Sequence, residues 1–224
     1  MTLVETFFNW DVFLSSLPLL LSGLKITLLL GVVSIVAGLV LGLVLGLIRI
    51  YGIRPASITA KIYIDIFRSI PLLVLLIVVY YALPFVGVEM APFTSAVTAL
   101  TLVSGAYTAE IFRAGIEAIP RCQFEASRVL GLSYRYMMTD IILPQSIRIV
   151  IPPLTNNCIN VLKDTALASV VAMPDLLKQA TQAQALEANP TPLIAAALLY
   201  LALLWPLVVL VGRMEKRHRA AVSQ

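Results

Sequence analysis

ITLLLGVVSIVAGLVLGLVLGLI, residues 26–48, decides the fold class. The stretch holds no charged side chain over 23 residues. As an α-helix rising 1.5 Å per residue it reaches about 34 Å, slightly more than the ~30 Å hydrocarbon core of a bilayer. Ser34, Gly38, Gly42 and Gly46 recur every four residues along it. That spacing stacks small side chains on one helical face, where a neighbouring backbone can approach closely. The face is read as helix packing rather than as a pore or ligand site.

Outward from this stretch the chain repeats the pattern. Ile70–Val88, Met90–Ala109 and Ala188–Gly212 are likewise free of charge, and Ile149–Met173 is interrupted only by Lys163 and Asp164. Five membrane-spanning helices are therefore predicted, in a single all-α domain covering residues 1–224. Composition agrees: 60% of the residues are hydrophobic, 12% are charged and the mean hydropathy is +0.95, against about 25% charged residues in an ordinary soluble domain. MTLVETFFNW at the start has no positive charge, includes Glu5 and leads into no small-residue cleavage pattern, so it is not read as a secretory signal. Phe7, Phe8, Trp10 and Phe13 suit an amphipathic lead-in at the outer headgroup layer.

The net charge of +4 is strongly partitioned. Three stretches hold 13 of the 16 Lys and Arg: 49–68, 113–148 and 213–219. The residues before Lys25 and the stretch Leu83–Phe112 hold none. Loops rich in Lys and Arg remain cytoplasmic, and with five spans the alternation places the N-terminus outside and the C-terminus inside. The basic residues are thus topology determinants, and no nucleic-acid partner is expected. Cys122 and Cys158 stand far apart with no CxxC, and the single histidine, His218, sits in the basic C-terminal tail. Neither a disulfide nor a metal site is expected.

Polar residues inside the spans carry the functional reading. Glu110 and Arg113, three residues apart near the end of the third span, share a helical side and are read as a structural ion pair. An unpaired charge at the membrane centre costs about 2.5–3.5 kcal/mol on insertion scales. No second carboxylate, histidine or serine stands at a spacing that would make a hydrolytic site, so no catalytic residue is assigned. The fourth span, IPPLTNNCINVLKDTALASVVA (residues 151–172), is the polar one. Asn156, Asn160 and Lys163 or Asp164 recur at helical spacings, with Thr165 just beyond, and Pro152 and Pro153 disturb the helix ahead of them. These five polar residues are the candidate substrate pathway. A zwitterion needs a cation near its carboxylate and an acceptor near its ammonium, which Lys163, Asp164 and the amides could supply; pairing of Lys163 and Asp164 with neighbouring helices is the structural alternative. The segment 174–190 beyond is helix-like and external, bounded by Pro174 and Pro190.

The connection between the third and fourth spans reads RCQFEASRVLGLSYRYMMTDIILP, residues 121–144. It exceeds the roughly 2–8 residues of an ordinary helix–helix turn and must fold. Two short helices meeting at Gly131 are predicted, Phe124–Leu130 and Tyr134–Ile142, the second ending before Pro144.

This loop resembles the EAA signature of bacterial ABC importer permeases: Glu-Ala-Ala, three residues, Gly, nine residues, Ile, one residue, Leu-Pro. Glu125, Ala126, Ser127, Gly131, Ile141, Leu143 and Pro144 stand at those spacings, with Ser127 the one departure. GLKITLLL, GLVLGLVLGLIR, FRSIPLL, GAYTAEIFRAGI and VLKDTALASVV extend the resemblance over most of the chain. They look like the polar amino acid uptake subfamily, whose members carry histidine, glutamine, glutamate/aspartate or basic amino acids. FRSIP stands where FRGTP is frequent, and KDTAL where Lys-x-Thr-Ser-Leu is frequent. The resemblance implies a type I importer permease in the bacterial inner membrane, in contact with lipid. It implies pairing with a second permease (the same chain or a paralogue) and docking of the seven signature residues on a cytoplasmic ATPase dimer. It also implies delivery of a polar amino acid by an extracytoplasmic binding protein. The chain itself is expected to hold no cofactor, since no GxxxxGK[ST] loop is present; ATP would be used by the partner. A gradient-driven secondary transporter or channel subunit is the alternative, and a membrane-embedded enzyme would need clustered His, Asp or Cys.

Overall fold

The structure, a computed structural model, describes residues 6–222, with side chains as far as Lys216. Met1–Glu5 of the aromatic lead-in and the side chains of Arg217, His218 and Arg219 lie outside the described residues. Every regular element among those described is helical. Helix α1 runs from Trp10 to Tyr51, so Trp10 and Phe13 of the aromatic lead-in are continuous with the first span, while Phe7 and Phe8 precede its Asn9 cap. Asn9 caps it, its Oδ1 accepting from the backbone N–H of Asp11 (3.0 Å) and Val12 (3.2 Å). Arg54–Ser69 forms α2; a 101° bend at Ile70–Pro71 then leads into α3, Leu72–Ile77, which continues through π- and 3₁₀-helical turns to Val86. Pro71 supplies the break, because it cannot donate a backbone hydrogen bond and disfavours helix in the residue before it.

The core forms around α1 and α4, Pro92–Glu117. Gly38 meets Ser104 and Gly105, and Gly42 meets Thr108. A Cβ on Gly38 would lie 2.7 Å from Ser104 Oγ, and one on Gly42 2.8 Å from the carbonyl oxygen of Gly105. In hydrocarbon no apolar driving force holds helices together, so such close backbone packing supplies the attraction. Leu30, Leu76, Ala96, Ala99, Leu100, Val161 and Val171 bury themselves around this contact. On the far side of α1, Val32, Val36 and Val40 are 56%, 55% and 60% exposed, as a lipid-facing stripe requires.

The chain then forms α5, Arg121–Val129, a single turn at Tyr134–Tyr136 and a π-helical stretch at Met137–Ile142. This stretch passes directly into α6, Leu143–Asp164. The helix therefore does not end before Pro144. That proline falls at the junction of the π-helical stretch and α6, where the wider turn accommodates a residue that cannot donate. Pro152 and Pro153 also lie inside α6, which continues through them. Beyond Asp164 the helix tightens to 3₁₀ over Thr165–Val171 and stops at Ala172, in the left-handed region at φ 58°. The last elements are α7, Leu176–Glu187, and α8, Thr191–Val222. Leu176 and Ala180 of α7 pack on Leu20 of α1 and on Ala195 and Ala196 of α8.

By length and composition α1, α4 and α8 can cross a membrane, and α2 with α3 makes a fourth, bent candidate. The helix expected as the polar span, α6, is not among them. Its 22 residues include Arg148, three asparagines, Lys163 and Asp164, and these lower its mean hydropathy.

Asp175 joins α7 to the bundle. It is fully buried; its Oδ1 accepts from the Lys178 N–H at 3.1 Å, while Oδ2 has no hydrogen-bond partner. Next to it the Leu176 N–H donates to Thr27 Oγ1 of α1 at 3.0 Å. Burial pushes the Asp175 carboxyl up to about 6, against the stabilising pull of its backbone donors.

Two outcomes follow from this packing. Gly42→Val should lower the thermal stability of the detergent-solubilised protein by about 1–3 kcal/mol, because Thr108 and the Gly105 carbonyl cannot both give way; an unchanged melting temperature would exclude the close α1–α4 contact. For Asp175, the unfolded chain loses its proton near pH 4 while the folded chain keeps it to about 6. Its contribution to stability is therefore present below pH 4 and falls by about 3 kcal/mol as pH rises to 6. Melting curves between pH 4.5 and 7.5 should show Asp175→Asn, which keeps the helix cap, losing less stability than the parent across that window.

Candidate functional site

A polar cavity of about 290 Å³ opens between α3, α4 and α6. Leu72, Leu100, Val103 and Val161 form its apolar walls, and Ser104, Tyr107, Asn157, Asn160 and Asp164 supply its polar groups. The α6 residues stand at i, i+3, i+4 and i+7 from Asn157, one face of a helix. Asn157 is fixed from behind: its Nδ2 donates to Ser104 Oγ at 3.3 Å and to Thr108 Oγ1 at 3.2 Å, both on α4. Those two α4 residues are the ones that meet Gly38 and Gly42 on their other side. The glycine face of α1 thus sets the depth at which α4 sits, and α4 sets the rotation of α6.

Of the pathway residues expected from sequence, Asn160 and Asp164 line this cavity and the other three do not. Asn156 and Lys163 are exposed and lie outside its wall. Thr165 is buried, its hydroxyl donating to the Leu162 carbonyl at 2.7 Å. Spacing alone admits 156–160–163 or 156–160–164, whereas the packed α6 presents 157–160–161–164 to the cavity. Asn157 was legible only as one of two adjacent amides. Tyr107 and Ser104, which complete the cavity from α4, carried no periodic signal.

A charged network flanks the cavity. Glu110 accepts from Arg113 through both carboxylate oxygens, at 3.0 Å from Nε and 2.5 Å from Nη2. Arg113 also reaches Glu117. Arg68, near the end of α2, lies 3.8 Å from Glu110 Oε1. The expected pair is therefore part of a four-residue network, and Arg68 is the member that sequence spacing could not reveal.

The loop at 121–144 divides into a tip and an anchor. Glu125 and Ala126 are exposed on α5, and Val129 and Leu130 at its end are 87% and 75% exposed. Ser127 is buried, its hydroxyl donating to the Gln123 carbonyl at 2.6 Å, which accommodates the one departure from the signature. Gly131 turns the chain at φ 74°, a conformation that disfavours any side chain. Ile141 and Leu143 pack against Ile119, Met137, Met138 and Ile142 and fasten the loop to the bundle.

Residues 38–220 match the family described as the binding-protein-dependent transport system inner membrane component. The chain belongs to this family. It is a membrane permease subunit of an ABC importer and not itself an enzyme; its class works with an ATPase and a binding protein. The permease is 38% identical over 215 residues to the probable amino-acid ABC transporter permease protein YckA of Bacillus subtilis (strain 168), covering 96% of this chain and 95% of that one. It is 40% identical over 206 residues to the arginine transport system permease protein ArtQ of the same organism, covering 91% and 94%. Its structure resembles a crystal structure of an amino acid ABC transporter with histidines, at TM-score 0.88 and 35% identity over 97% of this permease and 100% of that chain. The MetNI methionine ABC transporter in inward-facing form shares the fold at TM-score 0.72 and 23% identity, over 89% and 95% of the two chains.

Proposed function

We propose that this permease imports a polar amino acid across the bacterial inner membrane and that the cavity of Tyr107, Asn157, Asn160 and Asp164 is where the substrate passes. The observation that carries the reading is this cavity. It sets one carboxylate and several uncharged hydrogen-bonding groups between otherwise apolar helices, and polar groups at membrane depth face protein or a water-filled path. Asp164 suits the substrate ammonium. Asn160 and the Tyr107 hydroxyl suit its carboxylate, with Arg68 beyond them. Lys163, outside the cavity wall, has no part in this arrangement. Amino acid carriage by the relatives supports the same substrate class.

The topology proposed is five spans with the N-terminus outside and the C-terminus inside. Here α6 serves as the polar fourth span, its exposed face offered to the second permease, and α7 lies as an external cap. The positive charge that follows α1, follows α4 and ends α8 supports this orientation. In it the 121–144 loop projects into the cytoplasm. Glu125, Ala126, Ser127 and Gly131 form the part offered to the ATPase, with Ile141, Leu143 and Pro144 as its base. ATP is bound and hydrolysed by that partner, and this chain holds no cofactor. A second permease, identical or paralogous, completes the pathway.

Two measurements test this reading. Asp164→Asn and Asn160→Ala, reconstituted with the ATPase and binding protein, should each raise the KM for ATP-dependent amino acid uptake by about tenfold, the loss expected of one charge-assisted or polar contact. Unchanged kinetics in both would place the substrate elsewhere. Gly131→Asp should leave the permease in the membrane but abolish its co-purification with the ATPase. Normal uptake by that variant would remove the docking assignment.

A further inference from the structure

The polar cavity has a floor. Tyr107 lines it, and also lines a second cavity of about 320 Å³ formed with Asp65, Arg68 and Ser69. The tyrosine is therefore the wall shared by the two. Through Arg68, which reaches Glu110 one turn beyond Tyr107 on α4, the second cavity borders the end of α4 that leads to the 121–144 loop. Along α4, Val103 and Ser104 face the first cavity, Tyr107 faces both, and Glu110 follows one turn later. On the opposite wall Leu72 faces the first cavity and Arg68, four residues earlier, the second.

Arg68 closes this wall. Its guanidinium carbon lies 5.5 Å from the centre of the Tyr107 ring, within cation–π range. Its Nη1 lies 3.8 Å from Glu110 Oε1, a longer contact than the two that Glu110 receives from Arg113. The Arg68 side chain is 38% exposed and retains donors for a further anion. Removing Arg68 from Glu110 would not leave a bare carboxylate, because Arg113 continues to neutralise it. A guanidinium fork also pairs with a free carboxylate in bidentate geometry, which a single 3.8 Å contact does not provide. Arg68 stands in the last turn of α2, just before the 101° bend at Ile70–Pro71.

We propose that Arg68 and Tyr107, positioned by Glu110, form a latch between the polar cavity and the coupling-loop side, opened when the carboxylate of the passing amino acid draws the guanidinium from the ring. The inference rests on the reading of the polar cavity as the substrate path. It adds a release step in which the substrate's own charge lifts the barrier; Arg68 and Tyr107 contact the substrate, and Glu110 is the positioning residue.

The test uses the assembled transporter with its ATPase and binding protein, in vesicles that expose the coupling-loop face. Cys122 and Cys158 are replaced by serine, and Val103→Cys, on the cavity side of Tyr107, reports access to a membrane-impermeant maleimide. Tyr107→Leu and Arg68→Gln should each speed labelling about fivefold to tenfold, as expected for loss of a partly desolvated cation–π contact. Tyr107→Phe, which keeps the ring face, should label at the parent rate. Equal labelling in the parent, Tyr107→Leu and Arg68→Gln would overturn the latch. Should one variant fail to reach the membrane, the other decides, since each removes one half of the same contact. A mixture of the standard amino acids should slow labelling of the parent by occupying the cavity. Faster labelling in the two variants without such protection would keep the barrier but remove its opening by substrate; protection without faster labelling would keep the path and remove the latch.

Discussion

The close backbone contact between α1 and α4 is the constraint on which the rest of the structure depends. Gly38 and Gly42 leave no room for side chains where Ser104, Gly105 and Thr108 approach. That approach brings the hydroxyls of Ser104 and Thr108 to the depth at which Asn157 reaches them. Asn157 in turn fixes the face that α6 presents, and with it the positions of Asn160 and Asp164. One glycine face thus determines a binding geometry on a helix it does not line. Packing in lipid makes such a chain of dependence effective, because small residues and interhelical hydrogen bonds, rather than burial of apolar surface from water, hold the helices in register.

The loop between α4 and α6 shows a second division of labour. Its signature residues do not act as one surface. Glu125 and Ala126 face solvent, whereas Ile141 and Leu143 are packed into a small apolar cluster with Ile119, Met137 and Met138. A force on the exposed tip is carried into a packed base, and from there into α6 without a break, because the π-helical turn runs directly into it. The helix that receives the loop is also the helix that carries Asn160 and Asp164. Helix runs without a break from Tyr134, beyond the Gly131 turn, to Asp164, so the base of the loop and the polar cavity lie on one element.

Much of this was legible in the sequence. Uncharged runs and charge partition gave an all-helical membrane protein, and the spacing from Glu125 to Pro144 resembled the family that residues 38–220 match. On α6 the sequence identifies Asn160 and Asp164, which line the cavity, but adjacent asparagines at 156 and 157 leave it ambiguous which of the two does. Only the partners on α4 resolve it. Arg68 was counted among topology charges, because its relation to Glu110 and Tyr107 joins residues about 40 positions apart and leaves no local trace. The continuation of the helix through Pro144, Pro152 and Pro153 ran against the usual reading of proline as a stop. In helices at membrane depth that reading is weaker, because local π and 3₁₀ turns re-satisfy the freed backbone groups.

Val129 and Leu130, among the most exposed large apolar side chains of the described residues, bear on how such a protein is made. Water-facing apolar groups at a projecting tip are tolerated only while something covers them. If the proposed ATPase docking covers the two side chains, their exposure separates a subunit standing alone from an assembled one.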